Sequence, residues 1–298
     1  MEILRAEQFL AVLSASSTVQ LVAINKQTKL AECWGCGVLF IDNDKLYLLT
    51  VLHNALLRTT SIQGELVFGG GRFFMKNRTV NGFSLVRSCQ LSEDANTGAP
   101  YIDISFAEVE ANKSYSRWSL DKDNGIQNIA IRRVTKNDII SFDNDSMSKI
   151  CCSFCATVEP KSLGVSFCGS EIVSTKWLHI SGLSFKDLDG DYYVRFETPK
   201  PIVEYEIDFS GSSGAPIIDE CGRIVALVCG GEEGGGNERV VRAVRLDAVF
   251  SGLKSKKLIV ENLELNEGIP QMNDILLGML DKNQRKFYWD KVHKGLIF

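Results

Sequence analysis

From Thr18 to Cys229 the chain is a succession of short apolar runs broken by turn residues, and this texture limits its fold more than any other feature. Runs near 18–24, 36–41, 45–51, 64–68, 83–87, 101–107, 127–134, 163–168, 172–180, 191–197, 215–218 and 222–229 read as strands. Asn43-Asp44, Gly69-Gly70-Gly71 and Asp189-Gly190 punctuate them as turns. About a dozen such strands with no helical period between them predict antiparallel pairing in barrels or a sandwich, and exclude a parallel α/β sheet.

The flanks differ. Residues 1–14 place Ile3, Leu4, Phe9, Leu10, Val12 and Leu13 at helix-like spacing. After Lys257 the pattern turns helical again, with Pro270 at a first turn and Ile275, Leu276, Met279, Leu280, Phe287, Trp289 and Val292 at rough i, i+3, i+4 positions. A polar stretch, 113–148, divides the β region. The expected organisation is a helical segment (1–14), a first β unit (15–112), a linker (113–126), a second β unit (127–251) and a short C-terminal helical extension (252–298).

Composition narrows the function classes. With 45% hydrophobic and 23% charged residues the chain is globular rather than disordered. Its best apolar run, Leu46 to Leu57, is interrupted by His53 and Asn54 and falls short of the ~18 residues a membrane span needs, so no membrane partner is expected. Thirty-three basic against 37 acidic residues give a net charge of −4, which argues against nucleic acid as a partner. Met1 to Arg5 has no basic start to a secretion signal, and nine cysteines, an odd number, read as free thiols of a reducing, cytoplasmic compartment. The pairs Cys33/Cys36 and Cys152/Cys155 could offer four thiolates to zinc, but they stand over 100 residues apart. Free thiols are the preferred reading, with no metal and no cofactor expected.

Three segments carry chemistry. Gly211-Ser212-Ser213-Gly214-Ala215-Pro216, leading into Ile217-Ile218, is a glycine-framed turn that can present a hydroxyl while backbone N–H groups converge on an oxyanion. A glycine–serine string is equally compatible with a bland linker. A serine nucleophile needs a base, and of the three histidines His53 ends an apolar strand at the mouth of a hairpin, whereas His179 lies mid-strand and His293 in the helical tail. The base needs an orienting carboxylate. Asp103, embedded in Tyr101-Ile102-Asp103-Ile104-Ser105-Phe106, is costly to bury unless paired, and Glu93, Asp94 and Glu108 stand in more polar settings.

In that order and context, the three segments resemble the chymotrypsin-like serine proteases. Thr50-Val51-Leu52-His53 is similar to that family's Thr-Ala-Ala-His motif. Asp103-Ile104-Ser105-Phe106 is similar to Asp-Ile-Ala-Leu, and Gly211 to Pro216 to Gly-Asp-Ser-Gly-Gly-Pro. The resemblance spans about 18–250 and implies two six-stranded antiparallel β-barrels with the site between them. It implies His53, Asp103 and Ser213 as a catalytic triad, the Gly211 and Ser213 amides as the oxyanion hole, and a protein or polyprotein substrate cut through an acyl-enzyme. By the same resemblance Ile207 and Asp208 line the specificity pocket, and Cys229, Gly230 and Gly231 form the edge that pairs with substrate backbone. Ile207 and the absence of a histidine over 224–229 favour an uncharged substrate side chain.

Two departures stand out. Ser212 replaces the acid that precedes the nucleophile in secreted members, and Asn54 replaces the cysteine that follows their histidine. Both fit an intracellular or viral enzyme. The stretch through Asp219 to Gly231 is similar to alphavirus capsid and flavivirus-type proteases, and a helical tail is similar to that of nidovirus main proteases. The open alternatives are a catalytically silent peptide-binding module on the same fold, a bacterial or eukaryotic intracellular trypsin-like protease, and a cysteine hydrolase using Cys229 or Cys36. A homodimer stays open.

Overall fold

The computed structural model describes residues 2–24, 31–55, 58–60, 66–68, 74–75, 78–79, 85–91, 101–109, 116–121, 125–142, 151–158, 176–202, 209, 211–231 and 239–264. The chain opens with helix α1 (Glu2–Ser17), then runs through β1 (Val19–Ile24), β2 (Ala31–Asp42), β3 (Lys45–Thr50) and the one-turn helix α2 (Leu52–Ala55). Two small ribbons follow, β4 (Arg58–Thr60) with β5 (Leu66–Phe68) and β6 (Phe74–Met75) with β7 (Arg78–Thr79). Next come β8 (Leu85–Leu91), β9 (Tyr101–Val109), the ribbon of β10 (Ser116–Asp121) and β11 (Gly125–Ala130), and β12 (Arg133–Val134). The second half holds β13 (Cys152–Val158), β14 (Lys176–Asp189), β15 (Tyr193–Glu197), β16 (Pro216–Ile218), β17 (Ile224–Gly231), β18 (Val240–Arg245), α3 (Leu246–Lys254) and β19 (Leu258–Glu264).

These strands make two bodies. Six of them close a barrel in the order β13-β14-β15-β18-β17-β16, every pairing antiparallel. Its interior is apolar, with Phe154, Leu183, Val194, Phe196, Ala215, Ile217 and Val241 at 0% exposure. Each large member removes about 1.5–3 kcal/mol worth of side chain from water. The other body is a seven-stranded sheet, β1-β2-β3-β9-β8-β19, with β12 parallel to β2. Period-two alternation splits its side chains. Val38, Phe40, Leu49 and Ile104 pack towards Ile218, Leu227, Val244 and α3, while Leu39, Leu46 and Leu48 pack on the other side with Val19 and Ile131. The first face is thus the seam between the two bodies. The helix α1 seats on the barrel through Ser14, whose hydroxyl lies 3.0 Å from that of Ser153, and just past the helix the Thr18 hydroxyl donates to the Cys155 carbonyl at 2.8 Å.

The expectation of two closed six-stranded barrels is met by one. Among the described residues the first half forms the seven-stranded sheet, and β19 supplies its outer strand by pairing with β8 over Leu258 to Glu264. Residues 258–264 fall within the expected helical extension, whose helical spacing rests on the apolar positions from Ile275 to Val292. Edge pairing with β8 decides for the strand. Residues 265–298 lie outside the described residues. The barrel begins at Cys152 rather than at 127, since β11 pairs with β10, within the expected linker, and β12 pairs with β2. The strand expected over 163–168 lies outside the described residues.

Candidate active site

Strand β3 ends at Thr50, and the chain turns at once into α2, where the Asn54 N–H donates to the Val51 carbonyl at 3.1 Å. The turn buries Leu52 and Asn54 and leaves the side chain of His53 between them 30% exposed. Asp103 stands on β9, the strand next to β3, two residues before the Thr50–Ser105 pair. That register brings its carboxylate beneath the imidazole. Asp103 Oδ2 accepts from His53 Nδ1 at 2.8 Å, and Oδ1 accepts the His53 backbone N–H at 3.1 Å. A carboxylate on Nδ1 selects the tautomer with its proton there, which leaves Nε2 as the lone-pair nitrogen. Burial opposes protonation of this ring, but the charge and hydrogen bond of Asp103 outweigh it and hold the His53 pKa above the ordinary 6.5.

Ser213 comes from the other body. Its turn is shaped by glycines at positive φ, Gly211 at 93° and Gly214 at 84°, and closed by the Ser212 N–H on the Phe209 carbonyl and the Ala215 N–H on the Ser212 carbonyl, both 2.9 Å. The Ser213 carbonyl accepts the Cys36 N–H at 2.7 Å and the Asn54 side-chain amide at 2.6 Å. Asn54 is the residue after His53, so this amide draws the backbone of Ser213 to the histidine's own turn. The same Asn54 amide donates to Thr50 Oγ1 at 3.1 Å and to the Cys36 carbonyl at 3.3 Å. Cys36 adds a third tie, its buried thiol donating to the Gly211 carbonyl at 3.3 Å. Among the described residues, the N–H groups of Gly211 and Ser213 have no hydrogen-bond partner.

Gly214 is required sterically as well as conformationally. A Cβ there would fall 1.9 Å from the Cys36 carbonyl oxygen and 2.6 Å from Thr50 Oγ1. Gly214→Ala is therefore expected to cost more than about 4 kcal/mol, read from the urea midpoint. Gly190→Ala isolates the conformational share, since its φ is 72° with nothing within 4 Å of the added Cβ. It should cost only about 1–2 kcal/mol. Equal losses would contradict the close-packed turn.

The remaining expectations are placed as follows. Ile207 and Asp208 lie outside the described residues, as do Glu93, Asp94 and His293. Glu108 is exposed and ion-paired with Lys45 at 3.0 Å, and His179 stands on β14 opposite Cys155, within the barrel wall. Gly230 and Gly231 end β17 paired with β18 alone, opposite Arg242 and Val241, since pairing with β16 stops at Leu227, and Cys229 falls at a bulge in the β17–β18 ladder. Val228, just before them, accepts the Gly214 N–H at 2.6 Å and donates to the Ala215 carbonyl at 2.9 Å. The half-paired edge thus begins beside the serine turn. A cavity of about 1050 Å³ opens elsewhere, between the sheet and α3, walled by Phe40, Tyr47, Leu49, Phe106 and Phe250. None of the predicted site residues lines it.

Sequence reasoning gave Asn54 no role and offered Cys36 only as a zinc ligand or nucleophile, whereas both tie the serine turn. Asn54 stands out only as a missing cysteine, and nothing in one sequence says that an amide 159 residues before Ser213 will carry its carbonyl. Gly35 held a usable signal: a Cβ there would lie 2.6 Å from Asn54 Nδ2, so the glycine makes room for the amide.

Neither a family model nor a curated protein matches the chain. Among solved structures it is similar to the tobacco vein mottling virus protease, at 12% identity over 78% of this chain and 77% of that one, with a TM-score of 0.40. It is similar also to a serine endoprotease from Yersinia pestis, at 13% over 85% and 65%, TM-score 0.41. A third is a Glu endopeptidase in complex with MPD, at 18% over 83% and 93%, TM-score 0.42. The chain spans 65% of the Yersinia protein, just under two thirds of its length. Likenesses of this size leave the functional reading on the geometry of His53, Asp103 and Ser213.

Proposed function

We propose that this protein is a serine endopeptidase in which Ser213 is the nucleophile, His53 the general base and Asp103 its orienting partner. The observation that carries the reading is the Asp103–His53 pair, 2.8 Å from Oδ2 to Nδ1, together with a glycine-framed serine turn whose Ser213 carbonyl is tied to Asn54, the residue after that histidine. As Ser213 Oγ attacks the carbonyl carbon of a peptide bond, its proton passes to His53 Nε2 and the carbonyl electron pair moves onto oxygen. The Gly211 and Ser213 N–H groups receive that oxyanion. His53 then gives the proton to the departing amine, the C–N bond breaks, and an ester to Ser213 remains. Water repeats the sequence and frees the acid.

The substrate is a protein or polyprotein segment in extended form, which adds a strand along Cys229–Gly231. No cofactor takes part. A use in processing a viral polyprotein is the biological setting we favour, on the motifs alone. A cysteine nucleophile fits the site less well, because Cys36 is fully buried and burial pushes the Cys229 thiol far above its ordinary range.

Incubation with a diverse peptide mixture, followed by mass-spectrometric mapping of new termini, tests the proposal. Discrete cuts made by the wild type and lost in His53→Ala are expected. A mixture left intact by the wild type would overturn it.

A further inference from the structure

Both oxygens of the Asp103 carboxylate are engaged with His53, one on the ring and one on the backbone N–H. The aim of that carboxylate then depends on how the backbone of Asp103 is held. The Asp103 N–H donates to the hydroxyl of Tyr193 at 2.9 Å, across 90 residues and from the other body. Tyr193 opens β15, opposite Val244, and Arg242 lies diagonally from it on β18, opposite Arg195. The Arg242 guanidinium carbon sits 3.8 Å over the centre of the Tyr193 ring, and its Nε donates to Asp189 Oδ2 at 2.6 Å. The ring is therefore clamped flat, with a cation on its face, and its hydroxyl is aimed at one backbone N–H.

We propose that Tyr193, clamped by Arg242 and Asp189, is a positioning residue that fixes Asp103 against His53 from across the seam between barrel and sheet. This deepens the reading of the site as a Ser-His-Asp hydrolase and rests on it. A phenylalanine at 193 would pack the ring equally well, so the hydroxyl has one evident task. An isolated, partly exposed Arg–Asp pair adds little stability, so Arg242–Asp189 matters for where it holds the guanidinium. Burial and the Asp103 charge push the Tyr193 hydroxyl above its ordinary range, with Arg242 opposing. The hydroxyl stays neutral throughout the working pH. Among the described residues, the other titratable groups around this point are the Cys229 thiol, beside Arg242 and Asp103, and Asp189.

The test reads His53 directly. The chain has only three histidines, so the ring carbon–proton signal of His53 can be followed by NMR through a pH titration and assigned with His53→Ala. In Tyr193→Phe the Asp103 N–H loses its acceptor and the carboxylate holds Nδ1 less firmly. Its upward pull weakens while burial still opposes the charge, so the His53 midpoint falls. In an active enzyme kcat should fall about tenfold, the worth of one hydrogen bond, with KM unchanged. Arg242→Gln should move both quantities the same way by less, and it carries the test if Tyr193→Phe does not fold. An unmoved His53 midpoint overturns the proposal, even if the melting temperature drops. So does an unmoved kcat where the wild type turns over. If the wild type shows no turnover at all, the endopeptidase reading fails while the midpoint still decides the role of Tyr193.

Discussion

Ser213→Ala is expected to lower turnover by about 10⁶, with the fold and its thermal midpoint unchanged. The two halves of this expectation come from different atoms of one residue. What binds Ser213 to the sheet is its carbonyl, held by Cys36 N–H and the Asn54 amide, and alanine keeps that carbonyl in place. What is lost is Oγ, the atom that attacks. The turn itself is held by Gly211, Gly214 and the bonds of Ser212 and Ala215, none of which involves the Ser213 side chain. Circular dichroism and a melting curve check the first half, and steady-state cleavage of the best peptide from the mapping checks the second. A variant that cleaves at the wild-type rate would remove Ser213 from the mechanism.

Asp103→Asn is expected to fold and to lose about 10⁴ in kcat at neutral pH. The carboxylate accepts two hydrogen bonds from His53 and donates none. An asparagine can keep one with its carbonyl oxygen, but its NH₂ group then faces the other donor. The ring escapes by taking its proton on Nε2, the nitrogen that must be free to accept from Ser213. The pH profile changes in a defined direction. In the wild type the acid limb lies above 6.5, because Asp103 raises His53, and activity is lost as the pH falls through that raised value. Without the carboxylate only burial acts, and the His53 midpoint drops below the ordinary value. The stability linkage has the same sign. Folding raises the His53 pKa, so the pair's contribution is fully present below the unfolded imidazole's value of about 6.5 and fades as pH rises through the folded one. The variant's deficit in stability should therefore be larger at acid than at alkaline pH. A deficit that grew with pH would contradict the pairing.

Much of this site was legible because its chemistry is local in sequence. The apolar run of β3 ending in Thr50-Val51-Leu52-His53, the acid inside β9 and the glycines around Ser213 each announce a role without reference to the others. The strands over 36–41, 45–51, 101–107 and 215–218 were readable for the same reason, as alternation or as a short buried run. Cys152–Val158 and Val240–Arg245 were not singled out as strands. The first mixes Cys, Ser, Ala and Thr among its apolar residues, and the second carries Arg242 in its interior and ends on Arg245. Both are fixed by barrel closure, which no local pattern reports. Tyr193 was invisible likewise, since its partner lies 90 residues away and on the other body. The extension after α3 was misread over 258–264 because a free edge on β8, once available, outweighs a helical period. Ties across the seam, such as Asn54 to Ser213, exist only once the two bodies meet.

The central claim is that the hydroxyl of Ser213 and the imidazole of His53 act together at one point. Intact-mass and peptide-level mass spectrometry after treatment with a fluorophosphonate measures this most directly. A single adduct on Ser213, formed by the wild type and slowed by orders of magnitude in His53→Ala, is the predicted result. No adduct on the folded wild-type protein, or one that forms equally fast without His53, would contradict the account.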